Sequence, residues 1–265
     1  MGRDKAATDI GPKGPGKIAP FPELPAGAAV FLDVDGTLVG HEPRPEDVSI
    51  DPPLRALLAR VSKASSSALA LISGRSIEDI DALFSPSRFA VAGQHGAERR
   101  SVDGAQHFHA APASRLSEPA EALRRLVGEH PKLLLEEKGA SLAIHYRADP
   151  ALAELVEREA RRVLQRLGDD FELQAGKFVF ELKPSGKDKG TAIAEFMAEV
   201  PFAGRIPVFV GDDLTDEFGF DLVNRLGGRS VKVGPGPTRA RWRLADAGAV
   251  RQWLADYAAR EGANA

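Results

Sequence analysis

The chain has 265 residues, 43% of them hydrophobic, and a formal net charge of −3, which is ordinary for a globular protein of one large or two modest domains. It contains no cysteine, which excludes disulfides, thiolate catalysis and cysteine-ligated zinc. The charge balance indicates no nucleic-acid or membrane partner, and no apolar run has the length of a membrane span or the form of a signal peptide, so we expect a cytoplasmic protein.

The N-terminal segment, Met1 to Pro25, is rich in Gly, Pro, Lys and Ala. A segment of this composition buries too little apolar surface to offset the entropy of ordering it. We therefore predict a flexible tail over residues 1–25, followed by the folded part of the chain.

The first predicted strand, Ala28 to Leu32, is an apolar run followed by Asp33-Val34-Asp35-Gly36-Thr37. Such a run is typical of a strand buried in a parallel sheet, and ligands bind beyond the carboxyl ends of those strands. Because residues two apart in an extended segment point the same way, Asp33 and Asp35 can face one site. A bare pair of aspartates would more often only solvate a strand end, but the sequence context here favours a functional site.

A predicted helix, Pro53 to Val61, leads to a second apolar strand, Ala68 to Ile72, which ends in Ser73, Gly74 and Arg75. A helix with one apolar face follows. A serine between a strand end and a helix N-terminus offers a hydroxyl and free N–H groups to an anion. Taken alone, Ser73 would be interpreted as an ordinary N-cap residue.

After a third strand, Phe89 to Ala92, the order of the predicted elements changes. Two helices each precede a hairpin, which is typical of an α+β layer. The elements are the helix Pro112–His130, the strands Lys132–Glu137 and Ser141–Arg147, the helix Pro150–Leu167, and the strands Phe171–Gln174 and Lys177–Leu182. We predict that residues 99–182 form an inserted domain.

The first pattern then resumes. Lys189 begins a predicted helix, and the strand Ile206–Val210 ends in Gly211-Asp212-Asp213-Leu214-Thr215-Asp216. A last strand, Ser230–Val233, and a helix, Val250–Ala258, follow. Singly, Lys189 would be a solvated lysine, and the acidic run would be a helix start favoured by the macrodipole. The occurrence of such residues at three strand ends favours a single site instead.

These elements predict an α/β fold with a Rossmann-like core and a parallel sheet, built from residues 26–98 and 183–265, plus the inserted α+β domain. Carboxylates gathered at strand ends need a cation. Hard oxygen ligands beside a phosphate suit Mg²⁺.

The ordered motifs D-x-D-G-T, S-G-R, K-G and G-D-D-x-T-D-E resemble the signature of the haloacid dehalogenase (HAD) phosphatases, and the insertion resembles the C2-type cap of that superfamily. The resemblance implies that Asp33 is a nucleophile that forms an aspartyl-phosphate. It implies that Asp35 protonates the leaving oxygen and then activates water. The groups implied to hold the phosphoryl oxygens are Lys189, Ser73, Gly74 and Thr37.

The same resemblance implies a magnesium ion held by the Asp33 carboxylate, the Asp35 backbone carbonyl and Asp212. It adds Asp213 to the metal ligands and gives Asp216 a supporting role. The sequence leaves open which of the three carboxylates after the last strand bind the metal directly.

Several segments outside the core motifs resemble trehalose-6-phosphate phosphatases, and the resemblance covers nearly everything after the tail. They are Gly93–Glu98, Glu136–Gly139, His145–Arg147, Glu181–Pro184 and the region Val231–Leu254, with its Gly-Pro-Gly and Thr-Arg-Ala sequences. The implied reaction is magnesium-dependent hydrolysis of trehalose-6-phosphate to trehalose and phosphate. The implied contacts to the sugar hydroxyls are Glu136, Lys138 and Glu181, each of which would otherwise be a solvated strand residue.

Three alternatives share part of the pattern. Another HAD sugar phosphatase, acting on a sucrose or mannosyl phosphate, would have the same core motifs and a different cap. A phospho-accepting signalling domain also uses strand-end carboxylates, Mg²⁺ and a lysine, but it has neither the insertion nor a use for Asp35. A binding protein without turnover would not need every catalytic position filled. The expected partner is a small sugar phosphate, and we expect a monomer.

Overall fold

The structure, a computed structural model, describes residues 23–42, 47–109, 113–176 and 178–263. Its strands are β1 (Ala29–Leu32), β2 (Leu69–Ile72), β3 (Ala90–Gly93), β4 (Glu98–Arg100), β5 (Gln106–Phe108), β6 (Leu134–Glu137), β7 (Leu142–His145), β8 (Phe171–Gly176), β9 (Val179–Pro184), β10 (Pro207–Gly211), β11 (Arg229–Val233) and β12 (Trp242–Leu244). Its helices are α1 (Pro52–Ala64), α2 (Ile77–Phe84), α3 (Ser117–Glu129), α4 (Ala153–Leu167), α5 (Lys189–Met197), α6 (Glu217–Arg225) and α7 (Ala247–Ala263).

The larger of two sheets has eight strands in the order β12-β11-β10-β1-β2-β3-β4-β5. The strands from β12 to β3 are parallel, while β4 and β5 pair antiparallel at one edge. The predicted α/β fold with a parallel sheet is therefore confirmed. Because β1 lies between β10 and β2, the residues that follow it lie at the centre of the sheet edge.

Both faces of the sheet are covered, as the apolar runs predict. Val30 and Leu32 of β1 belong to one hydrophobic cluster, to which α1 and α7 contribute. Ala29 and Phe31 belong to the other, to which α5 and α6 contribute. This alternation along β1 follows from the two-residue repeat of a strand and fixes the strand within the molecule.

The smaller sheet is antiparallel and has the order β6-β7-β9-β8. It shares a third hydrophobic cluster with α3 and α4, and α4 contributes Val156, Ala160, Val163 and Leu167 to that cluster. We call β6–β9 with α3 and α4 the cap unit, and the larger sheet with its helices the core unit. The cap unit lies between β5 and α5 in chain order.

The larger sheet extends into the predicted insertion. Residues 98–100 and 106–108, most of which lie within the predicted insertion 99–182, form β4 and β5 of that sheet, and β9 runs beyond the predicted end of the insertion to Pro184. The edge strands β4 and β5 are polar and lack the alternation of apolar and polar residues that predicts a strand. Arg99 and Arg100 are nevertheless 6% and 4% exposed, because acidic side chains distant in sequence bind them.

The predicted tail and two predicted element starts fall largely outside the described residues. Residues 1–22 of the tail, and the starts at Pro112 and Lys177, are not among them. Leu24, inside the predicted tail, is 3% exposed and belongs to the core cluster under the larger sheet. None of the helices in the described ranges is both long and apolar enough to cross a bilayer.

Candidate active site

The site is built where three neighbouring parallel strands end. Asp33 follows β1, Ser73 follows β2 and Asp212 follows β10, so the sheet brings together residues that are far apart in sequence. Lys189 is the first residue of α5, where the Asp188 side chain accepts a hydrogen bond from the Thr191 amide as an N-cap. The geometry therefore joins the predicted motifs at one edge of the sheet.

Asp33 and Lys189 form a buried ion pair at the centre of this edge. Lys189 Nζ donates to Asp33 Oδ1 at 2.7 Å and to Asp216 Oδ1 at 2.6 Å. Burial raises the pKa of Asp33 well above its usual value, although the charge of Lys189 opposes this. Burial alone would lower the pKa of Lys189, but the carboxylates of Asp216 and Asp33 outweigh it and raise that pKa. The lysine is thus held as a cation.

Three carboxylates surround one point beside that pair. Oxygen atoms of Asp33, Asp212 and Asp216 all lie within 4.8 Å of one another. Asp212 Oδ2 lies 2.9 Å from His41 Nε2, and its Oδ1 accepts a bond from Thr37 at 3.5 Å. Burial also raises the pKa of Asp216, as expected where carboxylates outnumber the cations between them. This donor set of hard oxygens fits a divalent cation such as Mg²⁺.

Gly36 makes room for that cluster. Its φ is +83°, and a Cβ atom at this position would clash with the Asp212 carboxylate. The glycine after the second aspartate is therefore required by both its backbone conformation and the space that Asp212 occupies.

Asp216, rather than Asp213, lies with the clustered carboxylates. The turn Leu214–Asp216 is a short 3₁₀ helix that folds Asp216 back, where its Oδ2 accepts bonds from the amides of Asp212 and Asp213, each at 2.8 Å. Asp213 Oδ1 accepts a bond from the Leu214 amide at 2.5 Å. Among the described residues, the clustered carboxylates thus include Asp216 and not Asp213.

Asp35 is held by an arginine from the neighbouring strand end. Arg75 donates through Nε to Asp35 Oδ2 at 2.7 Å and through a terminal nitrogen to Oδ1 at 2.8 Å. This two-point contact fixes the plane of the carboxylate. Arg75 stands in the S-G-R motif, but nothing in that motif predicts its pairing with Asp35, which is 40 residues away.

The predicted phosphate-binding residues line or underlie the same edge. Thr37 and Ser73 are 0% and 1% exposed. Ser73 Oγ accepts a bond from the Arg75 amide at 3.1 Å, which leaves its hydroxyl hydrogen for another acceptor. A Cβ atom at Gly74 would clash with the His95 ring, so glycine is needed where this loop meets His95.

Glu136, Lys138 and Glu181 come together in the cap unit. Lys138 Nζ lies 3.7 Å from Glu136 Oε2 and 3.6 Å from Glu181 Oε1. Glu181 also accepts a bond from Ser141 at 2.6 Å and lies 3.0 Å from His95 Nε2. Burial would raise the pKa of Glu181, but Lys138 and His95 outweigh it and lower that pKa. Glu181 is buried and Glu136 and Lys138 are half-buried, so the three form a charged network rather than a set of solvated strand residues.

One cavity of about 210 Å³ joins the two sets of residues. Asp33, Asp35 and Lys189 line it from the core unit, and Glu136, Lys138 and Glu181 line it from the cap unit. A phosphoryl group at the first set would therefore leave the rest of its substrate near the second.

The comparisons with known proteins agree with this geometry. A model of the trehalose-phosphatase family matches residues 31–247. The chain belongs to the trehalose-phosphatase family. It is 47% identical over 233 residues to the trehalose-6-phosphate phosphatase of Escherichia coli strain K12, covering 88% of this chain and 87% of that protein. It is 44% identical over 207 residues to a probable trehalose-phosphate phosphatase of Sinorhizobium fredii, covering 78% of each.

A solved structure described as a trehalose-6-phosphate phosphatase related protein has a TM-score of 0.72 and 27% identity to this chain, covering 89% of this chain and 99% of the other. As a member of the trehalose-phosphatase family, the protein is a phosphoric monoester hydrolase with a HAD fold. Both the predicted enzyme class and the predicted family are confirmed.

Proposed function

We propose that this protein hydrolyses trehalose-6-phosphate to trehalose and phosphate, with Mg²⁺ as cofactor and an aspartyl-phosphate on Asp33 as intermediate. The observation that carries the proposal is the single cavity that Asp33, Lys189 and the charged residues of the cap unit all line. The relatives named as trehalose-6-phosphate phosphatases support the choice of substrate.

The clustered carboxylates of Asp33, Asp212 and Asp216 would hold the metal, together with the backbone carbonyl of Asp35. Asp213 lines the cavity and remains a candidate ligand through bound water. When bound, Mg²⁺ would neutralise charge on the phosphoryl oxygens and on the carboxylates around it.

Asp33 is the proposed nucleophile. Lys189 binds Oδ1, which leaves Oδ2 to attack phosphorus as the bond from phosphorus to the sugar oxygen breaks. Asp35, oriented by Arg75, donates its proton to the leaving sugar oxygen. A water then attacks the phosphoryl group on Asp33 and gives a proton to Asp35. The bond between phosphorus and the Asp33 oxygen breaks, which releases phosphate and restores the Asp33 carboxylate.

Lys189, the Ser73 hydroxyl, and the loop of Gly74 and Thr37 would hold the equatorial oxygens during both steps. Lys189 is already fixed between Asp33 and Asp216, so little reorganisation is needed when charge moves to those oxygens. Ser73 uses its oxygen to accept the Arg75 amide, so its O–H group is oriented to donate.

Glu136, Lys138 and Glu181 would select the sugar. They offer two acceptors and one donor in a buried position, which suits the hydroxyl groups of a disaccharide. A sugar that cannot satisfy them leaves buried charges unpaired, which weakens its binding.

The test is phosphate release from a panel of trehalose-6-phosphate, glucose-6-phosphate and sucrose-6-phosphate, with and without a chelator. We expect the highest kcat/KM for trehalose-6-phosphate, loss of activity on chelation and recovery with Mg²⁺. Equal activity on all three sugars would reject the substrate, and full activity in the chelator would reject the metal.

A further inference from the structure

A second cavity lies beside the active-site cavity. It has a volume of about 410 Å³ and shares Gly176, Asp212 and Asp213 with the first. Its other walls are Lys232 of β11 and the loop 235–239 that follows that strand. The proposed reaction makes no use of these walls. The loop nevertheless has a distinctive sequence, since residues 234–237 are Gly-Pro-Gly-Pro.

The Lys232 side chain is largely buried and lines the second cavity. The residue is 6% exposed and pairs with Gly211 in the sheet, while its neighbours Val231 and Val233 face the opposite, hydrophobic side. Within the described residues no hydrogen bond or ion pair reaches its ammonium group, although the side chain lines the cavity. Its ammonium nitrogen is not among the fully buried atoms that lack a partner, so this group is accessible from the cavity, where an anion would stabilise its charge.

Three other lysines of low exposure, the buried Lys183 and Lys189 and the half-buried Lys138, all have acidic partners. Lys189 binds Asp33 and Asp216, Lys183 lies 2.8 Å from Glu172, and Lys138 lies between two glutamates. The contrast indicates that Lys232 is completed by a group from outside the chain.

Two cations, Lys232 and Arg239, line this cavity away from the wall that it shares with the active site, where Asp212 and Asp213 lie. Arg239 is a second cation on its wall, and its nearest ion-pair contact is Asp221 Oδ1 at 4.0 Å. Glu217, on the same wall, is occupied, because it accepts bonds from the Thr238 hydroxyl at 2.8 Å and the Arg239 amide at 2.7 Å. Arginine and lysine together are a common means of binding phosphate oxygens.

The loop that forms one wall of the cavity has a backbone conformation that depends on its glycines and prolines. Gly234 and Gly236 have φ values of +73° and +101°, and a Cβ atom at either would meet nothing within 4 Å. These glycines are therefore required by backbone conformation rather than by packing, and Pro235 and Pro237 restrict the turn further. The same loop supplies Pro235, Gly236 and Pro237 to the lining of the cavity.

We propose that this cavity is a second anion site, in which Lys232 and Arg239 bind a phosphate group next to the active site. The choice of phosphate as the natural occupant rests on the proposed function. The two cavities share a wall, and the proposed reaction releases phosphate in the first cavity. The phosphate group has two sources, namely the free product or the phosphoryl group of a second substrate molecule.

The experiment is a crystal of the protein soaked in tungstate, which resembles phosphate and is located by its anomalous signal. We expect one peak at the active site and a second within hydrogen-bonding distance of Lys232 Nζ. Lys232→Met should weaken binding at the second peak by about tenfold or more over a concentration series. Lys232→Arg, which keeps the charge, should retain it, as should Lys63→Met on an exposed helix end.

If Lys232→Met does not fold, Arg239→Met replaces it, because that side chain is 35% exposed. A wild-type peak only at the active site overturns the proposal, and so does a second peak that neither variant weakens. A soak of trehalose-6-phosphate into Asp33→Asn crystals separates the sources, since sugar density at Lys232 identifies a second substrate molecule. The peaks are observed without turnover, so failure of the proposed hydrolysis is distinguishable from failure of this site.

Discussion

Asp33 and Lys189 illustrate how a group of opposite charges allows charged side chains to be buried. An isolated carboxylate at 4% exposure would be strongly disfavoured, and Lys189 compensates it only while Asp216 helps to hold the ammonium group in place. The excess of carboxylates that remains is the feature that a metal ion would neutralise. The proposed metal binding therefore depends on the excess of carboxylates over cations around Asp33 and Lys189.

Replacing Asp33 by Asn should abolish turnover and leave the fold intact. The amide is nearly isosteric, and its oxygen still accepts a bond from Lys189, but it is a poor nucleophile. We expect phosphate release to fall by about a thousandfold or more. The change also removes one of three crowded carboxylates, so the thermal midpoint should not fall. Asp169→Asn, at an exposed turn, is the matched control, and appreciable release by a folded Asp33→Asn protein would reject the mechanism.

Arg75 should act through Asp35 as a positioning residue. Lysine cannot reproduce the two-point contact, so Arg75→Lys leaves the Asp35 carboxylate free to rotate. We expect kcat to fall by about a hundredfold, with a much smaller change in KM. The measurement is a full kinetic comparison with Arg60→Lys, an exposed control. A change confined to KM would show that Arg75 binds substrate instead.

At the scale of elements, the buried polar strand β4 connects the core helices to the loop that meets the cap unit. Arg100 donates to both carboxylate oxygens of Asp81 on α2, at 2.6 and 2.7 Å, and also to the Phe89 carbonyl. Arg99 binds Glu195 and Glu199 on and just after α5. These pairs take the place of the apolar contacts that hold the other strands.

Asp81→Asn should therefore destabilise the protein in a pH-dependent way. Its hydrogen bonds to Arg100 lower the pKa of Asp81 in the folded state. When the pKa is lower in the folded state than in the unfolded state, the ionised group stabilises the fold at pH values above its unfolded pKa of about 4. That stabilisation is lost as the pH falls through the pKa of the folded state. We expect the variant to lose about 1–3 kcal/mol at neutral pH and the difference to shrink in acid. Urea unfolding at both pH values tests this, with Asp169→Asn as control, and a pH-independent difference would contradict it.

The apolar strands were predictable from sequence because hydrophobic burial depends on local residue type. The strands β4 and β5 were not, since Glu98–Arg100 and Gln106–Phe108 are polar and their stability comes from partners such as Glu195 that are distant in sequence. For the same reason the sequence did not predict that residues 99, 100 and 106–108 pair in the larger sheet. The motif order predicted which residues form the site, but only the 3₁₀ turn after Asp213 decides that Asp216 lies with Asp33.

In the molecule as a whole, the loop of Gln94 and His95 connects the core unit to the cap unit. Gln94 and His95 both have positive φ, a strained conformation for residues other than glycine. Gln94 Oε1 accepts a bond from the Ala140 amide at 3.0 Å, and His95 lies against Glu181. Burial lowers the pKa of His95 even beside that carboxylate. The loop thus connects the floor of the active site to the residues proposed to bind the sugar.

This arrangement divides the work between the two units. In the proposed function the core unit contacts the phosphoryl group, which every substrate has, so it would not distinguish one sugar from another. The cap unit must then carry the specificity, and it can do so only for substrates large enough to reach Glu136, Lys138 and Glu181. A small aryl phosphate should be hydrolysed without using them.

The most direct test compares kcat/KM for trehalose-6-phosphate and for p-nitrophenyl phosphate in Glu136→Ala and Glu137→Ala. These neighbours on β6 differ in environment, since Glu136 lines the cavity while Glu137 pairs with Arg124 at the surface. We predict that Glu136→Ala lowers kcat/KM for trehalose-6-phosphate by about tenfold or more, with little loss on the aryl phosphate, and that Glu137→Ala changes neither. Equal losses of kcat/KM on both substrates in Glu136→Ala would show that Glu136 does not select the sugar.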